Sequence, residues 1–116
     1  MTTTVYGITN CDTVRRARRW LDGRGLVYRF HDFRRDGLDA ATLEGWAQAV
    51  GWETLLNRRG TTWRRLDPAQ RDNLDAGRAI RLMQEQPTLI RRPVIEMEDD
   101  IMVGFDEQAI ARKYDE

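Results

Sequence analysis

Cys11 is the only cysteine in the chain, and it stands in "YGITNCDTVRRARRW", residues 6–20, where a β-branched and aromatic run gives way to four arginines. A cysteine between a strand end and a helix start sits beside unpaired backbone N–H groups and the positive end of the helix dipole, a location that favours thiolate over thiol. Arg15, four residues on and one turn up the same face, can bring a guanidinium towards the sulfur, whereas Asp12 pushes the other way. The chemistry this points to is attack by sulfur on an oxidised sulfur or an oxyanion. Free cysteine is also among the most buried residue types, so spacing alone leaves an inert, small hydrophobe equally open.

A second stretch bears on the same chemistry. "LIRRPVI", residues 89–95, puts Pro93 at the entry of a strand. A cis bond there would lay backbone beside the thiol and leave Arg92 pointing at it, while an ordinary trans proline starting a strand is the plainer alternative. His31, the only histidine, is a conceivable general base, but a structural hydrogen bond to Asp32 or to backbone is the simpler role. The arginines around Trp63 in "NRRGTTWRR" would suit nucleic-acid stacking, yet the formal net charge is zero and a solvated loop near the thiol is expected instead. Trp20, Trp46 and Trp52 fall on helix faces and are read as core; Met83, Met97 and Met102 are read as packing.

The elements that must carry these groups follow from periodicity. Thr2 to Ile8 reads as a strand, and "TNCD" as a short connection. Asp12 to Gly23 has Val14, Ala17, Trp20 and Leu21 at helical spacing, with Gly23 and Gly25 as the stop. Residues 26–33 alternate Leu26, Tyr28 and Phe30 against Val27, Arg29 and His31, a second strand that would complete a parallel βαβ unit. Leu43, Trp46, Ala47 and Val50 mark a helix capped by Asp39 and stopped by Gly51. "WETLL" gives a turn or two of helix, "NRRGTTWRRL" a loop, and "DPAQ", residues 67–70, a strong helix start. Ala76, Ala79, Ile80 and Met83 share one face of a further helix that ends before Pro87. "RPVIEMEDDIMVGF" reads as an antiparallel hairpin of Val94 to Met97 and Ile101 to Val103, and Asp106 caps a last helix bearing Ala109, Ile110 and Tyr114. An α/β architecture of four mixed strands flanked by helices buries these faces economically.

At 116 residues, with 41% hydrophobic and 33% charged residues and 19 basic against 19 acidic side chains, the chain is expected to be one soluble domain. No apolar run approaches the roughly 18 residues that span a bilayer, and "MTTTVYGIT" has no signal-peptide pattern, so a cytoplasmic, non-membrane protein is expected. One cysteine excludes an intramolecular disulfide, and one Cys with one His makes a zinc site unexpected. The balanced charge gives no reason to expect a nucleic-acid partner.

Taken together, "VYGITNCDTVRRARRWL", "YRFHDFRRDGL", "LLNRRGTTWRRL" and "LIRRPVI…MVGF" resemble the ArsC family of arsenate reductase-like proteins over nearly the whole chain. "GITNCDT" with "FHD" and "NRRGTTWR" looks closest to the YffB branch, proposed to be glutathione-dependent thiol reductases. The resemblance implies a thioredoxin-like fold over 1–116 with a helical insertion at about 39–86, Cys11 as nucleophile and Pro93 as a cis proline. It also implies a substrate- and thiol-binding set of Asn10, Arg15, Arg58, Arg59, Arg92 and Pro93, with Arg92 on an oxyanion or a carboxylate. No tightly bound cofactor or metal is expected; glutathione is the expected co-substrate, and the protein is expected to be a monomer. Where arsenate reductases carry two further arginines, this sequence has Asn57 and, in "VGF", Gly104 and Phe105, which points away from arsenate. Val14 stands where a Cys-X-X-Cys motif would have its second cysteine, so an outside thiol must resolve any mixed disulfide. The same family contains Spx-type regulators, which bind RNA polymerase without catalysis, and this is the alternative function.

Overall fold

Val5 and Ile95 are fully buried and face each other across the middle of the sheet. The computed structural model describes residues 2–115. They form two compact units, one running to Asp36 and resuming at Arg92, the other Gly37–Arg91.

The first unit carries the sheet. Strand β1 (Thr4–Gly7) leads into helix α1 (Asp12–Gly23), then β2 (Arg29–Asp32) and a single helical turn, α2 (Phe33–Asp36). The β1 segment is shorter than its β-favouring composition suggests, because pairing covers only Thr4–Gly7. Likewise the alternation from Leu26 to Phe33 is real, with Leu26, Tyr28 and Phe30 against the core and Val27 90% exposed, but ladder pairing begins only at Arg29. The buried Asp32 carboxylate ends β2: it accepts hydrogen bonds from the Arg34 and Arg35 amides at 2.8 and 3.4 Å and so nucleates α2.

Completing the unit are the strands β3 (Val94–Met97) and β4 (Asp100–Val103) of the hairpin and a C-terminal helix, Glu107–Asp115. The sheet order is β2-β1-β3-β4, with β1 and β2 parallel and the other pairs antiparallel. Ala17 and Leu21 of α1 and Ile110 of the C-terminal helix close a core over Val5 and Ile95. As its sequence position suggests, Asp106 caps that last helix, accepting from the Gln108 and Ala109 amides at 3.0 and 3.2 Å. Thr3 and Tyr114 share a hydroxyl–hydroxyl hydrogen bond of 2.6 Å that ties the helix to the start of β1.

The second unit is helical. Its longer helices, Ala40–Val50 and Ala76–Glu85, pack on each other and are capped by Asp39 and Asp75 through the Thr42 and Arg78 amides, both at 2.8 Å. Between them lie three short helices, Trp52–Leu55, Thr61–Arg65 and Pro68–Arg71. The capping box read in "DPAQ" is present, but the helix runs only one turn: Asp72 is extended and Asn73 takes a left-handed φ of 55°. "NRRGTTWRRL" is not simply a loop, since Thr61–Arg65 within it is helical. Leu43, Trp46, Leu55, Leu56, Met83, Leu89 and Ile90 are buried, so Trp46 and Met83 are core as expected. Among the described residues no helix is long and apolar enough to cross a membrane.

Candidate active site

The close approach of α1 to β1 sets the position of the sulfur. Gly7, the last residue of β1, has no side chain, and a Cβ added there would lie 2.7 Å from Cγ2 of the fully buried Val14. After Ile8, Thr9 and Asn10, the chain reaches Cys11, which is the N-cap of α1 with extended backbone, φ −124° and ψ 123°. Its carbonyl accepts the first helical hydrogen bond, from the Arg15 amide at 2.9 Å. The side chain makes no capping bond and is partly exposed, so the sulfur is neither sealed in the core nor tied to the backbone.

Of the arginines that follow, Arg15, Arg16, Arg18 and Arg24 are engaged elsewhere. Arg15 donates to Asp12 Oδ1 at 2.8 Å, an exposed i,i+3 pair of little energetic weight, so its guanidinium is directed to the carboxylate rather than to the sulfur. Arg16 lies over Phe105 at 5.7 Å, Arg18 over Phe30 at 4.1 Å, and Arg24 over Trp20 at 4.6 Å. Arg18 Nε also donates to the Tyr28 hydroxyl at 3.1 Å. Two of the four arginines on α1, and Arg24 just beyond its end, therefore cover aromatic rings. Asn10 is exposed, and its Oδ1 accepts from Arg34 at 3.5 Å.

Arg92 and Pro93 enter β3 at the same end of the sheet where β1 leaves for Cys11, because Tyr6 pairs with Val94. The Arg92–Pro93 bond is cis. Arg92 is partly buried, with its Nε screened from solvent. The Pro93 carbonyl accepts a 2.8 Å hydrogen bond from the amide of Gly104, whose φ of +81° favours glycine. Gly104 thus supports the Pro93 backbone, a role not seen in the sequence, where "VGF" stood out only for the arginine it lacks. A glycine immediately after a strand was the available signal.

Arg58 and Arg59 belong to the second unit, where both are exposed. His31 packs its ring against Tyr6, with centroids 4.8 Å apart. These two rings, with Arg29, Arg35 and Asp36, line a cavity of about 390 Å³ in the first unit, whose lining does not include Cys11. Asp36 is held well below its ordinary value of 3.8, at about 2, chiefly by the hydrogen bonds from Arg35, and next by the Asp32 amide. A depressed carboxyl contributes stability that is complete above 3.8 and lost as the pH falls through about 2. A carbon-detected NMR titration is expected to place the Asp36 midpoint near 2, and Arg35→Gln to move it back towards 3.8; a midpoint unmoved by that substitution would rule out the Arg35 hydrogen bonds as the cause. Among the described residues no group of three or more His, Cys, Asp or Glu side chains is placed to hold a metal ion.

Four mixed strands flanked by helices, with the thiol between the first strand and the first helix, define a thioredoxin-like fold. Residues 6–113 match the ArsC family, and the chain belongs to it. Its structure is similar to that of the YFFB (PA3664) protein, with a TM-score of 0.93, 47% identity, and 96% of this chain and 97% of that one covered. It is also similar to an arsenate reductase (ArsC) related protein from Brucella melitensis, with a TM-score of 0.77, 46% identity, and coverage of 98% and 95%. More distantly, the global transcriptional regulator Spx of Listeria innocua is 27% identical over 94% of this chain and 84% of its own.

Proposed function

We propose that this protein is a cytoplasmic, glutathione-dependent thiol reductase in which Cys11 is the nucleophile. The observation that carries the reading is the placement of the chain's single sulfur, partly exposed and unbonded, at the N-cap of α1. The Cys11 thiolate attacks the glutathione sulfur of a mixed disulfide between glutathione and a substrate thiol. The substrate leaves as its thiolate and Cys11 is glutathionylated. With no second cysteine in the chain, a second glutathione thiolate attacks the glutathione sulfur, releasing oxidised glutathione and restoring the Cys11 thiolate. The net exchange converts one glutathione thiol and the substrate–glutathione mixed disulfide into the free substrate thiol and oxidised glutathione. Arg92, at the Cys11 end of the sheet, serves an anionic part of the thiol ligand, for which a planar guanidinium is suited.

Incubation with oxidised glutathione tests this directly. Intact-protein mass spectrometry is expected to show the gain of one glutathionyl group on Cys11, removed by reduced glutathione. A Cys11 that alkylates readily but never takes up glutathione would overturn the reading.

A non-catalytic regulator that binds RNA polymerase is the second reading, favoured by the match to Spx along 94% of this chain. It requires no chemistry at Cys11, and the two readings separate on that residue.

A further inference from the structure

The four arginines of "NRRGTTWRR" are not equivalent. The Arg58 guanidinium lies over two indole rings, 5.7 Å from the centroid of Trp63 and 6.0 Å from that of Trp52. Both indoles are partly buried, whereas Arg58 itself is exposed. Among the described residues its N–H groups meet no carboxylate or carbonyl, and Arg59 has neither a ring nor an acid to orient its side chain.

The backbone just before Arg58 is pinned. Leu55 and Leu56 are buried, and Leu56 forms an isolated antiparallel bridge with Ile90. The Asn57 amide donates to the Leu89 carbonyl at 2.7 Å, and the Arg91 amide to that of Leu55 at 2.8 Å. Beyond Arg58, Asn57 Oδ1 accepts from the Arg59 amide at 3.0 Å, and a Cβ added to Gly60 would sit 3.0 Å from Asn57 Nδ2. Arg58 therefore projects from a hydrogen-bonded base towards two partly buried rings.

A guanidinium attracted to aromatic faces keeps its N–H donors, which lie in its own plane and match the two oxygens of a carboxylate. Holding a long side chain in place beforehand also reduces the ordering cost of binding. We propose that Arg58, and not Arg59, binds a ligand carboxylate, and that Trp52 and Trp63 are positioning residues for it. The ligand class is a small carboxylate. The choice of glutathione within that class rests on the function proposed above; the carboxylate site rests on the second unit alone.

The test is an NMR titration of the nitrogen-labelled full chain with S-methylglutathione, which cannot react with Cys11. The chain has four tryptophans. The indole N–H signals of Trp52 and Trp63, assigned with Trp52→Phe and Trp63→Phe, are expected to shift, and those of Trp20 and Trp46 to stay. Arg58→Gln is expected to abolish the response, Arg58→Lys to weaken it, and Arg59→Gln to leave it within about two-fold. Trp63→Leu keeps an apolar side chain over the arginine stem but removes the ring, so affinity is expected to fall about two- to five-fold, while Trp63→Phe retains most of it. Binding unchanged in Arg58→Gln, or equal in the Leu and Phe variants, overturns the inference and leaves the Cys11 chemistry standing. If S-methylglutathione moves no indole signal, the carboxylate site falls; the separate Cys11 adduct then decides whether the glutathione reaction falls with it.

Discussion

Cys11→Ser is expected to abolish glutathione-coupled reduction, with a loss on the order of 10⁴-fold or more, as for removal of a nucleophile in other enzymes. Serine cannot form the mixed disulfide, and the chain holds no other sulfhydryl to take its place. The substitution should leave the scaffold intact. Cys11 caps α1 without a side-chain hydrogen bond, and serine is among the favoured capping residues, so its hydroxyl can take up a first-turn amide that the sulfur leaves unbonded. Thermal denaturation of the variant should therefore give a midpoint at or above that of the parent, and any lost turnover is then chemical rather than structural. The same variant separates the two functions. A polymerase-binding regulator would still retain the polymerase α subunit in a pull-down, and would show no turnover to lose. Turnover that survives in Cys11→Ser would remove Cys11 from the mechanism.

The second large effect is expected one strand away, at a residue with no chemistry. Gly7→Ala introduces a Cβ 2.7 Å from Val14 Cγ2, closer than carbon atoms pack, and a tight 3.3 Å from Cγ1. Val14 is fully buried and β-branched in a helix, so it cannot rotate out of the way. The relief must come from α1 moving off β1, a strain of about 1–3 kcal/mol by comparison with other overpacked cores. Because Cys11 begins that helix, the shift should also displace the sulfur and reduce turnover. Urea unfolding measures the first effect. Adding Val14→Ala to Gly7→Ala opens the space, so the double variant should be more stable than the sum of the single losses indicates. A neutral Gly7→Ala would mean that the helix does not depend on this close approach.

Much of this arrangement could be read from the chain, and the gaps have physical causes. The capped helix starts at Asp39 and Asp106 were legible because an acceptor followed by periodic apolar residues is a local signal. The hairpin was legible from two short strand-forming runs on either side of an acidic turn, and the cysteine at a strand–helix junction followed from the change of period. Arg15 was harder: its spacing from Cys11 put it near the sulfur, whereas in the folded helix it pairs with Asp12 at 2.8 Å. Nothing in "NRRGTTWRRL" indicated that Arg58 would find Trp52, because that contact depends on how two short helices are packed rather than on either alone. Gly7 passed unremarked and Gly104 stood out only for the arginine it replaces, since a close approach and a support for Pro93 are made by partners elsewhere in the chain or across the sheet.

The interrupted first unit bears on the order in which the protein can assemble. Its central pairing joins Tyr6 to Val94, whereas the whole of Gly37–Arg91 lies between them as one contiguous stretch. During synthesis the helical unit is complete in sequence before any residue of β3 leaves the ribosome. Until then the parallel pair of β1 and β2 lacks the neighbour that covers the other side of β1, and the long-range closure must come last. Pulsed hydrogen exchange during refolding would see this as early protection in the helices of Gly37–Arg91 and late protection in β1. The thiol at the end of β1 would accordingly be held in place only in the final step.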